Sequence, residues 1–218
     1  MIKLAIFDLD GTLLDTIDDL AAACDATLRA RGLPRHSREA YRRMVGNGIR
    51  RLVERSLPEN MRDDQTIESA RRQFVEYYTD HIDIHTRPYD GIAEVIDALA
   101  ARGTKLAVVS NKFQSGTEKL VRRYFPHTEF VAVVGQRDGI PLKPDPHSDL
   151  EIMKMAGVSA SECIHIGDSA VDIATAKAAG IRSAGVTWGF RPREEIVASG
   201  ADFVADTTQD LLTIIDKL

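Results

Sequence analysis

Residues Phe7–Asp15 read FDLDGTLLD and continue the apolar run Leu4–Phe7 (LAIF). A short, continuously apolar run predicts a strand covered on both faces. Carboxylates are costly in such surroundings unless they are paired. Two aspartates, Asp8 and Asp10, nonetheless stand one residue apart at its end, followed by Gly11 and Thr12. The strand therefore ends where negative charge is wanted, and the rest of the chain has to supply what makes it tolerable.

Similar runs recur at Leu106–Val109, Phe130–Val134, Cys163–Ile166, Arg182–Val186 and Asp202–Val204. Helical patterns lie between them. Ile92, Val95, Ile96 and Leu99 follow helix spacing, with Gly103 as a stop. Ser115 and Glu118 have capping-box spacing for the next helix. Asp145 and Pro146 read as an N-cap and a first-turn proline, and Gly157 as the end of that helix. Asp172–Ala179 precedes Gly180, and Thr208–Leu218 reads as the last helix. Strands alternating with single helices predict an α/β fold: a Rossmann-like parallel sheet core with helices on both faces. One stretch, Thr16 to Ile84, carries helical patterns and no strand. It predicts a small all-helical cap domain, residues 16–85, inserted into a catalytic core formed by residues 1–15 and 86–218.

The totals narrow the class. A chain of 218 residues with 44% hydrophobic and 28% charged content can bury a sizeable core. A net charge of -5 argues against a general nucleic-acid binder. The arginine-rich window Arg29–Arg55 has Tyr41 as its single aromatic and reads as solvated helix faces. Cys24 and Cys163 are too few for a disulfide framework. No apolar run reaches the ~20 residues of a membrane span, and the N-terminal run is too short for a leader. The expectation is a soluble cytoplasmic protein, monomer or homodimer, with no membrane or nucleic-acid partner.

Ligands of open α/β sheets sit at the carboxyl ends of the strands. Asp8-Leu9-Asp10-Gly11-Thr12 follows the first strand and Ser110-Asn111-Lys112 the second. Gly167-Asp168-Ser169 follows a third, with Asp172 one helical turn on, and Lys143-Pro144-Asp145 precedes the helix leading into it. The unusual polar groups thus fall at one edge of one sheet. A calcium loop is the competing reading of the first stretch, but the sixth position from Asp8 is Leu13 rather than glycine.

This ordered set, DLDGT, SN, KP and GDSAVD, resembles the haloacid dehalogenase superfamily of phosphotransferases, and the helical stretch after the first motif resembles that family's mobile cap. The resemblance implies an aspartyl-phosphate mechanism with Asp8 as nucleophile and Asp10 as general acid, then base. It implies Mg²⁺ held by Asp8, the backbone carbonyl of Asp10 and Asp168. Lys143 is then the catalytic cation, Gly11, Thr12, Ser110 and Asn111 hold phosphate oxygens, and Asp172 orients Lys143 or supports the metal. The physical chemistry agrees. Asp8, Asp168 and a phosphate dianion sum to about -4, and like charges 4 Å apart repel by roughly 4 kcal/mol at an effective dielectric of ~20. A divalent cation and Lys143 bring the sum to about -1.

The stretch VGNGIRRL (Val45–Leu52) resembles the cap loop of phosphoglycolate phosphatase-like members. It makes Gly46, Gly48, Arg50 and Arg51 the candidates for substrate specificity. The implied activity is hydrolysis of a small anionic phosphomonoester, phosphoglycolate first among candidates. A dehalogenase lacks the acid at Asp10, and a phosphonoacetaldehyde hydrolase needs a cap lysine that residues 16–84 do not contain. A β-phosphoglucomutase-like isomerase, a pyrophosphatase or a non-catalytic binding protein on the same core are the remaining alternatives. Asp15, Asp18 and Asp19 read as acids complementing a helix start. His165 reads as a packed core residue, and Trp188–Phe190 as a structural loop.

Overall fold

The computed structural model describes residues 1–218. All four residues of LAIF are buried and form β1 (Leu4–Phe7). The chain continues through β2 (Leu14–Asp15) into four helices, α1 (Ile17–Arg29), α2 (Arg38–Met44), α3 (Gly48–Ser56) and α4 (Asp64–His81). It returns through β3 (Arg87–Pro88) to α5 (Ile92–Ala101), β4 (Lys105–Phe113), α6 (Gln114–Tyr124) and β5 (Phe130–Gln136). Next come α7 (His147–Ala156), β6 (Cys163–Gly167), α8 (Ala170–Ala179) and β7 (Arg182–Val186). The chain ends with α9 (Arg193–Ala198), β8 (Phe203–Ala205) and α10 (Thr208–Asp216).

Six strands form one parallel sheet in the order β5-β4-β1-β6-β7-β8, with β1 between β4 and β6. Leu4 is level with Lys105 on one side and Cys163 on the other, so the carboxyl ends of the three strands lie side by side. Side chains alternate across β1. Leu4 and Ile6 belong to the buried cluster that holds Ile152 and Met153 of α7, while Ala5 and Phe7 belong to the cluster that holds Val95 and Leu99 of α5. Helices on both faces explain why these strands are apolar throughout rather than alternating.

The helical insertion joins the sheet through a two-stranded antiparallel ribbon that pairs Leu14 with Pro88 and Asp15 with Arg87. Asp19 ties the departing and returning segments together. Its buried carboxylate accepts hydrogen bonds from the N–H of His85, the N–H of Thr86 at 2.8 Å and the hydroxyl of Thr86 at 2.8 Å. Asp19 is thus a tie across the neck of the insertion, not merely an acid at a helix start. Asp18 stays at the surface and pairs with Arg38 at 2.5 Å.

Two expected caps differ. α6 starts at Gln114, and Ser115 and Glu118 form no capping box. The Gln114 amide is needed instead to stitch α6 to β5, accepting from Gly135 N at 2.6 Å and donating to Val133 O at 2.9 Å. α7 starts at His147, and the Asp145 carboxylate accepts from His147 N at 2.9 Å, one residue beyond the expected register. No helix is long and apolar enough to cross a membrane.

Candidate active site

The strand ends beside β1 bring most of the expected residues together. Asp8, Asp10, Ser110, Asn111, Lys143, Asp168 and Asp172 line a cleft between the sheet edge and the insertion, with about 50 Å³ of free space inside. Lys143 Nζ lies 2.7 Å from Asp8 Oδ1 and 2.7 Å from Asp172 Oδ1. The Lys143–Pro144 peptide is cis. The Asn111 side chain clasps the Lys143 backbone, accepting from its N–H at 2.9 Å and donating to its carbonyl at 3.1 Å.

Sharp turns position Asp8 and Asp10 of FDLDGTLLD. Gly11 has φ +92°, and a Cβ there would collide with the Asp168 carboxylate, so glycine lets that carboxylate approach the loop. The N–H of Gly11 donates to Leu14 O at 2.9 Å and that of Thr12 to Leu9 O at 3.3 Å. The N–H groups of Leu9 and Asp10 enter no hydrogen bond within the chain. Thr12 is wholly buried, its hydroxyl has no partner, and it does not line the cleft.

Three carboxylates, Asp8, Asp168 and Asp172, place oxygens within 4.8 Å of one another. Burial pushes Asp8 up to about 6, with Lys143 pulling against the shift and Asp172 adding to it. Burial, then the charges of Asp172 and Asp8, hold Asp168 well above the usual carboxylate range. Asp172 moves the other way. Burial opposes its ionisation, but Lys143 and His165 keep it below the usual range. Burial also opposes the Lys143 charge, and Asp172 and Asp8 outweigh it, so the ammonium stays above the ordinary lysine value. Asp172 has both oxygens engaged, Oδ2 accepting from the Ser169 hydroxyl at 2.6 Å. Asp8 Oδ2 and Asp168 Oδ1 accept no hydrogen bond, and they face a surplus of negative charge. That is a donor set of hard oxygens suited to a divalent cation such as Mg²⁺.

Several expectations need correction. Thr12 is fully buried and is not among the residues lining the cleft. Gly11 spends its N–H inside the turn; the free donors are one and two residues earlier. Asn111 spends its amide on Lys143. Gly46 and Gly48 do line the cleft, with φ of +121° and +79°, but Arg50 and Arg51 do not. The helical period of α3 turns Ile49, Leu52 and Val53 inward, leaving Arg50 paired with Asp64 at 2.5 Å and Arg51 with Glu54 at 2.6 Å near the surface.

Other groups were not legible from the motifs. Lys112, which directly follows the SN pair, reaches Asp10 at 2.9 and 3.1 Å and the hydroxyl of Tyr78, from α4, at 2.7 Å. Trp188–Phe190 is part of the site. The Phe190 N–H donates to Asp168 Oδ2 at 2.5 Å, and the Trp188 ring N–H donates to Thr12 O at 3.1 Å. Arg191 then reaches the insertion, donating to Arg42 O at 2.5 Å and to Val45 O, while Arg42 donates to Gly189 O. His165 is buried, as expected for a core residue, but it is ion-paired. Its Nδ1 lies 2.7 Å from Asp149 Oδ2, and its Nε2 lies 3.5 Å from Asp172 Oδ1. Burial works against its charge, Asp149 outweighs it, and the imidazole is raised to about 9.

Comparison with known proteins gives the chain's family. Residues 5–186 match the family model described as haloacid dehalogenase-like hydrolase. A phosphoglycolate phosphatase of Pseudomonas aeruginosa is 35% identical over 99% of this chain and 80% of its own length. The N-acetylmuramic acid 6-phosphate phosphatase of the same organism is 32% identical over 99% of this chain and 96% of its own. A solved structure from Lactobacillus delbrueckii subsp. bulgaricus superposes with a TM-score of 0.92 at 33% identity, covering 98% of each chain. The chain belongs to the haloacid dehalogenase-like hydrolase family.

Proposed function

We propose that the protein is a Mg²⁺-dependent phosphatase of a small anionic phosphomonoester, phosphoglycolate being the leading substrate. The observation that carries this reading is Lys143 held between Asp8 and Asp172 at 2.7 Å each, beside Asp168, with one Asp8 oxygen left free. In this reading Asp8 Oδ2 attacks phosphorus, the ester bond breaks, and Asp10 gives its proton to the departing oxygen. Asp10 then takes a proton from the water that attacks the aspartyl-phosphate, and inorganic phosphate leaves with Asp8 restored. The N–H groups of Leu9 and Asp10, the Ser110 hydroxyl and Lys143 Nζ hold the phosphate oxygens. Asp8, Asp168 and the Asp10 carbonyl would hold Mg²⁺, which neutralises charge on the phosphate and orients it. Asp172 and Asn111 position Lys143. Residues 16–85 act as a cap that closes over the cleft, and the 1–15 and 86–218 segments as the catalytic core.

The small free space and the apolar lining from Leu20, Ile49 and Leu52 favour a compact leaving group over an N-acetyl sugar acid. The experiment is phosphate release from phosphoglycolate, N-acetylmuramic acid 6-phosphate, glucose 1-phosphate and pyrophosphate, with Mg²⁺ and with EDTA. Mg²⁺-dependent release, greatest from phosphoglycolate, is expected. Isomerisation of the sugar phosphate without release, or full activity in EDTA, contradicts the proposal.

A further inference from the structure

Three cations line the cleft: Lys143, Lys112 and Arg191. Lys143 is bound between Asp8 and Asp172. Arg191 spends its guanidinium on the carbonyls of Arg42 and Val45, with Glu195 at 3.4 Å. Lys112 is placed differently. Its side chain is 2% exposed, its counter-ion is Asp10, and its other partner is a residue of the insertion. The Tyr78 hydroxyl lies 2.7 Å from Nζ, and the Tyr78 ring centroid 4.6 Å from it. Lys112 therefore stands on the side of Asp10 that faces the insertion. The leaving group of a phosphomonoester has to lie there if Asp10 serves its ester oxygen. An atom group one or two carbons beyond that oxygen reaches the groups that already touch Asp10. Apart from the glycines, the other insertion residues lining the cleft, Leu20, Val45, Ile49 and Leu52, have apolar side chains and offer nothing to sugar hydroxyls.

We propose that Lys112, with the Tyr78 hydroxyl, is the specificity determinant for a leaving group that carries a carboxylate one or two carbons from the ester oxygen. This rests on the phosphatase reading above. It moves anion recognition from Arg50 and Arg51 on α3 to the end of β4. A charge-assisted hydrogen bond in a closed, water-poor site discriminates strongly between a ligand that has the anion and one that lacks it.

The test compares phosphate release from 2-phosphoglycolate and from ethyl phosphate, which matches its two-carbon leaving group without the carboxylate. For the unmodified protein with Mg²⁺, kcat/KM is expected to favour phosphoglycolate on the order of 100-fold. Lys112→Met is expected to collapse that ratio to within about 5-fold, chiefly by losing activity on phosphoglycolate. Lys112→Arg restores part of the ratio, and Tyr78→Phe lowers it less than Lys112→Met does. Unchanged circular dichroism and melting of Tyr78→Phe and Lys112→Arg keep these two variants interpretable should Lys112→Met fold poorly. Equal losses on both esters, with the ratio intact, overturn the inference and leave Lys112 acting only through Asp10. Hydrolysis of both esters without preference by the unmodified protein also overturns it. If neither ester nor any other phosphomonoester is hydrolysed, the phosphatase reading itself fails and takes this inference with it.

Discussion

At the residue scale the site is a problem in charge. Asp8, Asp168 and Asp172 stand within one small volume against one lysine and one buried imidazolium. Asp8→Asn removes the proposed nucleophile while keeping its shape, and turnover is expected to fall by roughly 10⁴-fold or more with an unchanged circular dichroism spectrum. The His165–Asp149 pair makes a second, separable contribution. The imidazole is raised from the ordinary 6.5 to about 9. Its stabilisation is therefore fully present below pH 6.5 and is lost as pH rises through about 9. Denaturant unfolding of Asp149→Asn should show a loss of about 3 kcal/mol at pH 6 and little loss at pH 9.5. Equal losses at both pH values would show that His165 is not charged in the fold.

Much of this was visible in the sequence, because Asp8, Asp10, Ser110 and Asp168 are each set by position just past a strand end, and Lys143 by position just before α7. Lys112 was not, although it is the next letter after a recognised pair. Its importance comes from Asp10 and Tyr78, residues 102 and 34 positions away, and no local pattern encodes such a meeting. Thr12 lies outside the cleft lining for the related reason that a turn, in which its N–H donates to Leu9 O, buries it.

At the element scale, α3 shows how helical phase separates lining from surface. VGNGIRRL places its glycines at the cleft and its two arginines outside, because residues 49, 52 and 53 carry the buried stripe. Arg50→Ala and Arg51→Ala are expected to change kcat/KM by less than about 2-fold and stability by less than about 1 kcal/mol, as for exposed ion pairs. Ile49→Ala, on the buried face, is expected to cost about 2–4 kcal/mol in unfolding measurements. A large activity loss from either arginine variant with Ile49→Ala silent would reverse this phase. Strand and helix positions along the core were readable from apolar periodicity. The start of α6 was not, since a glutamine amide reaching β5 outweighs a local capping box.

At the scale of the whole molecule, the fold holds unfavourable charge that a divalent cation relieves. Burial and mutual repulsion raise Asp8 and Asp168, so if these two hold the cation as proposed, protons and the cation compete for the same oxygens. Mg²⁺ should therefore raise the melting temperature more at pH 7.5 than at pH 5. At about 100 times its dissociation constant the gain is about 3 kcal/mol, roughly 5–10 °C for a chain of this size. Equal shifts at both pH values, or none, would remove Asp8 and Asp168 as the cation's ligands. The sheet order that gathers these residues was only partly legible. Alternating strands and helices implied a parallel sheet, but β1 lying between β4 and β6 is a property of the assembled core.

The proposed chemistry rests most heavily on Asp8 as the group that takes the phosphoryl. Borohydride reduction of acid-quenched enzyme, followed by peptide mass spectrometry, reads this directly, because an aspartyl-phosphate is reduced to homoserine and a free carboxylate is not. With phosphoglycolate and Mg²⁺ the expected result is homoserine at position 8, absent without substrate and absent from Asp8→Asn. Steady phosphate release with an unmodified Asp8, or homoserine at another aspartate, would contradict it.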